Sequence, residues 1–128
     1  MDDRIATIER MYELFAAGDI DGVMELCVSD PVLTQDPALP WGGRYVGRDA
    51  VIEFAIKLGE VSDSKLIHEQ LFAAGDQVIQ QGRSVGTVRS SGAQFDIREC
   101  HVWTFRDDLI AEVAFYLDTA AMLEVLAR

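Results

Sequence analysis

An α+β fold is predicted by three features of the chain. Apolar residues recur at helical spacing through the N-terminal half, the pattern changes to period two near Lys65, and turn signals then separate four strand-length runs. Helices first and antiparallel strands afterwards read as helices packed on the concave face of one strongly bent sheet. A bent sheet closed by helices makes a cone, and a cone has an interior that can hold a small ligand. At 128 residues the chain is expected to form a single domain, 1–128.

The first element rests on Ile5, Ile8, Met11, Tyr12 and Phe15, which predict an amphipathic helix over about residues 3–17. Gly18 stops it and Asp19 is placed to cap the next helix. Ile20, Val23, Met24 and Cys27 form that second apolar stripe, which Asp30-Pro31 is expected to end. Val32–Gln35 reads as a short strand running into Asp36-Pro37 and a loop, ALPWGGRYVG, whose Trp41 and Tyr45 imply packing. Arg48 begins a third helix with Val51, Phe54, Ala55 and Leu58 on one face and Gly59 near its end.

Strands follow over about 65–73 and 77–89, with turns at Ala74-Gly75-Asp76 and Ser90-Ser91-Gly92. Gly82 and Gly86 inside the second of these mark bends or bulges. The last two strands lie in IRECHVWTFRDDLIAEVAFYLD, from Ile97 to Asp118, joined by a turn at Arg106-Asp107-Asp108. Asp118 or Thr119 then caps a final helix ending at about Ala127.

That C-terminal hairpin carries the chemistry. By the period-two rule Glu99, His101, Trp103 and Phe105 share one face, and Val113, Phe115 and Leu117 share a face of the next strand. A solvated face would not need the aromatics, and an ordinary core would not want the acid. The mixture predicts the wall of a pocket.

Composition narrows the partners. Hydrophobic residues make up 49% of the chain and charged ones 26%, enough for a real core. The net charge of −11 argues against nucleic acid and anionic membrane, which need a basic face. No apolar run reaches the ~18 residues of a membrane span, and the acidic start, MDDRIATIER, has no signal-peptide core. Cys27 and Cys100 lack CxxC or zinc-type spacing and read as reduced thiols of a cytoplasmic protein. No third ligand joins His68 and His101, so no metal site is expected.

Four stretches, ELFAAGDIDGVMEL, DPVLTQDP, GRDAVIEF and HVWTFRDDLIAEVAFYLDT, together resemble the NTF2-like superfamily, in particular its SnoaL-like and ketosteroid-isomerase-like members. The resemblance covers nearly the whole chain and implies the cone-shaped α+β fold. It specifies the fold better than the reaction, because this fold hosts isomerases, cyclases, hydrolases, dehydratases and non-catalytic binders. In the ketosteroid isomerases a general-base aspartate precedes a proline at the end of the first strand, a position that looks like Asp36 here. The second acid of that family falls on His101, and its oxyanion-hole tyrosine on Met11. Tyr12 stands one residue later, about 100° around the helix. An epoxide-hydrolase pattern, Arg-x-Asp on the penultimate strand, is replaced here by Glu99-x-His101.

The resemblance therefore implies a small-molecule enzyme acting by general acid/base chemistry, of isomerase, cyclase or dehydratase type, on an apolar oxygenated substrate. Asp36 would be the base and His101 the acid or hydrogen-bond donor, with no metal or organic cofactor required. Glu99 would orient His101 or hold its charge. Met11, Tyr12, Phe15, Trp41, Phe54, Glu99, Trp103, Phe115 and Leu117 are expected around the pocket. Each has a plainer role to be weighed against it: Asp36 as a turn starter, His101 as a buried structural histidine, His68 as a surface residue, Asp118 as a helix cap, the aromatics as core. A non-catalytic ligand-binding or protein-interaction module on the same fold is the alternative. A homodimer is expected through the outer face of the sheet, where rows holding Val102 and Ile79 or Val78 stay apolar.

Overall fold

Strand pairing in the C-terminal half follows the turns just described, and it organises the rest. The computed structural model describes residues 3–128; Met1 and Asp2 lie outside the described residues. The elements are α1 (Asp3–Ala16), α2 (Ile20–Glu25), β1 (Cys27–Gln35), β2 (Gly43–Val46), α3 (Arg48–Val61), β3 (Ser62–Ala74), β4 (Gln77–Val88), β5 (Gln94–Arg106), β6 (Leu109–Leu117) and α4 (Thr119–Leu126). They build one six-stranded sheet of order β2-β1-β6-β5-β4-β3. The four strands from β3 to β6 form an antiparallel meander, as expected from the period-two half of the chain.

The sheet is curved by identifiable devices. The β3–β4 register shifts between His68 and Gln70, and the β5–β6 register shifts between Thr104 and Phe105. At Gly82 an added Cβ would collide with the Ile67 carbonyl oxygen, so only glycine lets β3 press this closely on β4. The turn Asp107-Asp108 places Asp107 at φ 59°, a left-handed conformation that Asp tolerates better than most residues.

The N-terminal strands depart from the sequence reading. The second helix stops at Glu25 rather than at Asp30-Pro31, and β1 already begins at Cys27. Pro31 is carried inside that strand because the β1–β6 ladder is interrupted between Cys27 and Val32, so the missing N–H breaks no regular pair. β1 pairs parallel to β6 and antiparallel to β2, which hides within the predicted loop. Four residues containing Gly43 carry almost no period-two signal, so pairing with Val32–Gln35 decides their conformation.

Helices cover the concave face. α1 packs on β3 and β4, α2 on β1, α3 on β1, β2 and β3, and α4 on β5. Asp19 and Asp118 cap α2 and α4, accepting hydrogen bonds from the Gly22 and Ala121 N–H groups. Ile8, Leu33, Trp41, Phe54, Val78, Trp103 and Val113 belong to a single core between helices and sheet. The loop before β2 is tied down by Trp41, whose indole N–H donates to Gln35 Oε1 at 2.9 Å while its carbonyl accepts from the Tyr45 hydroxyl at 2.8 Å. Val78 is fully buried on the inner face, so only Ile79 and Val102 of the three residues named for the outer rows lie there.

Candidate functional site

Between the helices and the sheet lies a cavity of about 550 Å³. α1 contributes Met11, Tyr12 and Phe15 to its wall, α3 contributes Phe54, and the loop before β2 contributes Trp41. The hairpin register sets the rest: Glu99 opposes Leu117, His101 opposes Phe115, and Trp103 opposes Val113, all facing inward. His101 packs its ring on Phe115, with centroids 4.2 Å apart. The wall is mostly apolar; at one end the inward row of β5 contributes the buried polar pair Glu99 and His101, and Gln80 of β4, paired with His101, is buried beside them without lining the cavity.

Hydrogens at that end can be assigned. The Trp103 indole N–H donates to the Tyr12 hydroxyl oxygen at 2.9 Å. Tyr12 in turn lies 2.7 Å from His101 Nδ1. Burial holds the phenol above its ordinary pKa, reinforced by the Glu99 charge, against a smaller lowering by the Trp103 hydrogen bond. Tyr12 therefore keeps its proton and donates it to Nδ1. Burial, with a smaller push from His68, depresses the His101 pKa from 6.5 to about 3, so the imidazole is neutral at physiological pH. A neutral imidazole that accepts at Nδ1 carries its hydrogen on Nε2.

That Nε2 atom lies 3.2 Å from Glu99 Oε2 but without hydrogen-bond geometry, leaving the oxygen unpartnered. The other Glu99 oxygen accepts from Gln80 Nε2 at 2.9 Å. Gln80 is fully buried, its Nε2 also lies 2.9 Å from His68 Nδ1, and its own Oε1 has no partner. Glu99 is only 5% exposed. Its burial raises the carboxyl pKa from 4.5 to about 7, the Gln80 hydrogen bond lowers it and the Glu69 charge raises it further. A carboxyl of this pKa takes and returns protons near neutrality, which an ordinary surface glutamate does not.

The structure does not bring Asp36 to this site. Inward residues of β1 are Leu33 and Gln35, so the next residue leaves the strand. Asp36 is exposed, is not part of the cavity wall, and its Oδ1 accepts the Ala38 N–H at 2.9 Å, an ordinary turn role. The base assigned to it by resemblance is corrected accordingly. Asp36→Asn keeps that turn hydrogen bond and is expected to shift thermal stability by less than about 0.5 kcal/mol, and to leave any turnover within about twofold of wild type. Thermal denaturation and a rate measurement on the variant check this.

His68 stands at the exposed rim, where its ring lies 4.6 Å from that of Tyr12 and burial lowers its pKa. Asp118 caps α4 and does not line the cavity. Gln80 was missed by sequence reasoning. A glutamine in phase with Val78 and Gly82 on the inward row was the available signal, because a polar side chain there must find partners. Among the described residues no group of three or more His, Cys, Asp and Glu side chains could hold a metal ion. Among those residues, too, no helix is long and apolar enough to cross a membrane.

The SnoaL-like domain family matches residues 8–113, and the chain belongs to that family. Solved structures share the whole fold. An NTF2-like protein of unknown function from Burkholderia pseudomallei is 23% identical over 100% of both chains, with a TM-score of 0.91. TerC, co-crystallised with polyporic acid, is 23% identical over 99% of this chain and 100% of its own, TM-score 0.88. A candidate SnoaL-like polyketide cyclase from Jannaschia is 18% identical over 98% and 92% of the two chains, TM-score 0.87. At these identities the likeness establishes the NTF2-like fold. No curated protein matches the sequence.

Proposed function

We propose that the chain is a small-molecule enzyme of general acid/base type, of the isomerase, cyclase or dehydratase kind, acting on an apolar oxygenated compound in the cavity. The observation that carries this reading is Glu99. It is a buried carboxyl with one oxygen unpartnered and a pKa near 7, set 3.2 Å from the neutral His101 imidazole at the polar end of an apolar pocket. Glu99 would take a proton from carbon beside a carbonyl, or from water or a hydroxyl. His101 Nε2–H would donate a hydrogen bond to the substrate oxygen on which charge develops. Similarity to a candidate polyketide cyclase supports the oxygenated-substrate class.

The test does not require the natural substrate. A panel of aromatic and alicyclic ketones is incubated with the protein in deuterated water, and deuterium at the carbons beside the carbonyl is followed by NMR. Enzymatic incorporation is expected for at least one ring ketone. Saturable binding of the panel with no incorporation would support the ligand-binding module instead.

We also propose a homodimer through the outer face of the sheet. Phe72, Ile79, Val102 and Ala114 are cross-strand neighbours in one row there, and Phe72 and the nearby Tyr116 are 45% and 59% exposed. A row of this kind is usually covered. Light scattering at micromolar concentration is expected to give twice the chain mass, and Val102→Glu to give the single-chain mass.

A further inference from the structure

The inward rows of the sheet leave a gap at Gly82, and Gln80 spans it. His68 of β3, Gly82 of β4 and Glu99 of β5 lie in one cross-strand row with no side chain in the middle. A Cβ at Gly82 would stand 3.2 Å from Glu99 Oε1. Gln80, one inward place along β4, instead sends its amide nitrogen to both flanking residues, 2.9 Å from Glu99 Oε1 and 2.9 Å from His68 Nδ1. One nitrogen therefore bridges a buried carboxyl to an imidazole at the exposed rim. The amide oxygen is buried without a partner.

A bridging NH2 group donates on both sides, so it requires an acceptor on each: a carboxylate at Glu99 and a bare Nδ1 on His68. A proton arriving on Glu99 Oε1 would meet that NH2 donor to donor. On Oε2 it would be crowded by the hydrogen of His101 Nε2, 3.2 Å away. We infer that Gln80 is a positioning residue that ties the proton of Glu99 to the hydrogen of His68: when Oε1 is protonated the amide turns over, its oxygen takes the bridging place, and His68 carries its hydrogen on Nδ1 instead of Nε2. This rests on the acid/base reading of Glu99 and names what regulates it, since the unprotonated base goes with an imidazole hydrogen held at the rim. Turning over breaks two bonds to the nitrogen and makes two to the oxygen, which has none to lose. Glu99 takes one proton from solvent, while His68 stays neutral and exchanges its single hydrogen between ring nitrogens through water at the rim. Without the bridge the sign is opposite, because a hydrogen on the near nitrogen of His68 favours the carboxylate rather than the acid.

The ionisable neighbours of the pair are Tyr12 from α1, His101 and Cys100 from β5, and Glu69 and Lys65 from β3. β4 and β6 present Gln80, Gly82 and Leu117 here, and the charged residues of α3 and α4 are exposed. Tyr12 and His101 keep one charge state across neutral pH, burial holding the phenol protonated and the imidazole neutral.

The test is a double titration of the intact protein by NMR, with carbon-13 in the glutamate side chains and nitrogen-15 in the histidine rings. His68 is assigned by the loss of its signals in His68→Phe. Above the Glu99 midpoint, near 7, wild type is expected to show His68 with bare Nδ1 and protonated Nε2; below it the two exchange roles, and both curves share one midpoint. Protonation of the ring itself follows at lower pH, because burial lowers the His68 pKa from 6.5. Gln80→Met has neither donor nor acceptor at the bridge, so it is expected to raise the Glu99 midpoint and to leave the His68 tautomer constant across it. Glu99→Gln has no proton to gain there and is expected to hold the tautomer constant as well; it decides the matter if circular dichroism shows Gln80→Met unfolded. A His68 that keeps Nδ1 bare through the wild-type midpoint puts the Glu99 proton on Oε2 and overturns the inference, leaving the base in place. A tautomer change that survives in either folded variant overturns it too. A Glu99 midpoint at 4.5 overturns the base reading and the inference together. Shared midpoints without deuterium exchange on the ketone panel uphold the inference and sink the catalytic reading alone.

Discussion

Glu99→Gln is expected to lower the rate of deuterium exchange or turnover by about 10²–10⁴, the usual effect of losing a general base. Glutamine keeps the size of the side chain and can still accept from Gln80, but it cannot hold a proton. The same change is expected to stabilise the fold at alkaline pH. Because burial raises the folded pKa of Glu99 from 4.5 to about 7, the folded state holds its proton more tightly than the unfolded chain. Its stabilising effect is complete below 4.5 and is lost as pH rises through 7. His101 has the opposite sign: its folded pKa falls from 6.5 to about 3, so its effect is present above 6.5 and lost as pH falls through 3. Between 4.5 and 6.5 the two slopes oppose each other in wild type. Glu99→Gln leaves the His101 slope alone, so the variant gains on wild type from about pH 4.5 up to 7, by on the order of 3 kcal/mol. Urea denaturation at several pH values reads this directly. A variant that is less stable at every pH would mean that Glu99 is a structural anchor.

Tyr12→Phe is expected to act through His101. The hydroxyl is both the acceptor for the Trp103 indole and the donor that fixes the His101 tautomer. Its loss leaves the indole N–H without that acceptor and costs roughly 1–3 kcal/mol. It also removes the reason for the imidazole hydrogen to sit on Nε2, so a mixture of tautomers follows. Exchange rate is expected to fall by about tenfold or more as the productive tautomer is depleted. Nitrogen NMR of the imidazole distinguishes this from a packing defect: wild type should show protonated Nε2 and bare Nδ1, and the variant a mixture. If the variant retains the wild-type tautomer and rate, Tyr12 serves only packing.

Much of this site was legible in the sequence because strand periodicity is local. The alternation Glu99, His101, Trp103 puts three of its members on one wall, and the Asp107-Asp108 turn sets what faces them on β6. Asp36 was misplaced for the same kind of reason in reverse. Its assignment came from a family position at a strand end, where one residue decides between inward and outward, and here Gln35 takes the inward place. Tyr12 could not be chosen over Met11 from helix phase alone. Both line the cavity, and only the tertiary contact with His101 separates their roles. β2 and the early start of β1 were hidden because non-local pairing, not local propensity, creates them.

The assignment of Glu99 as the proton carrier is tested most directly by titrating its carboxyl. With carbon-13 in the glutamate side chains, the Glu99 resonance is identified by its absence in Glu99→Gln and followed as pH is varied. A midpoint near 7 is predicted, set by burial of the carboxyl at the polar end of the cavity. A midpoint at the ordinary 4.5 would show a solvated carboxylate and contradict the proposed mechanism.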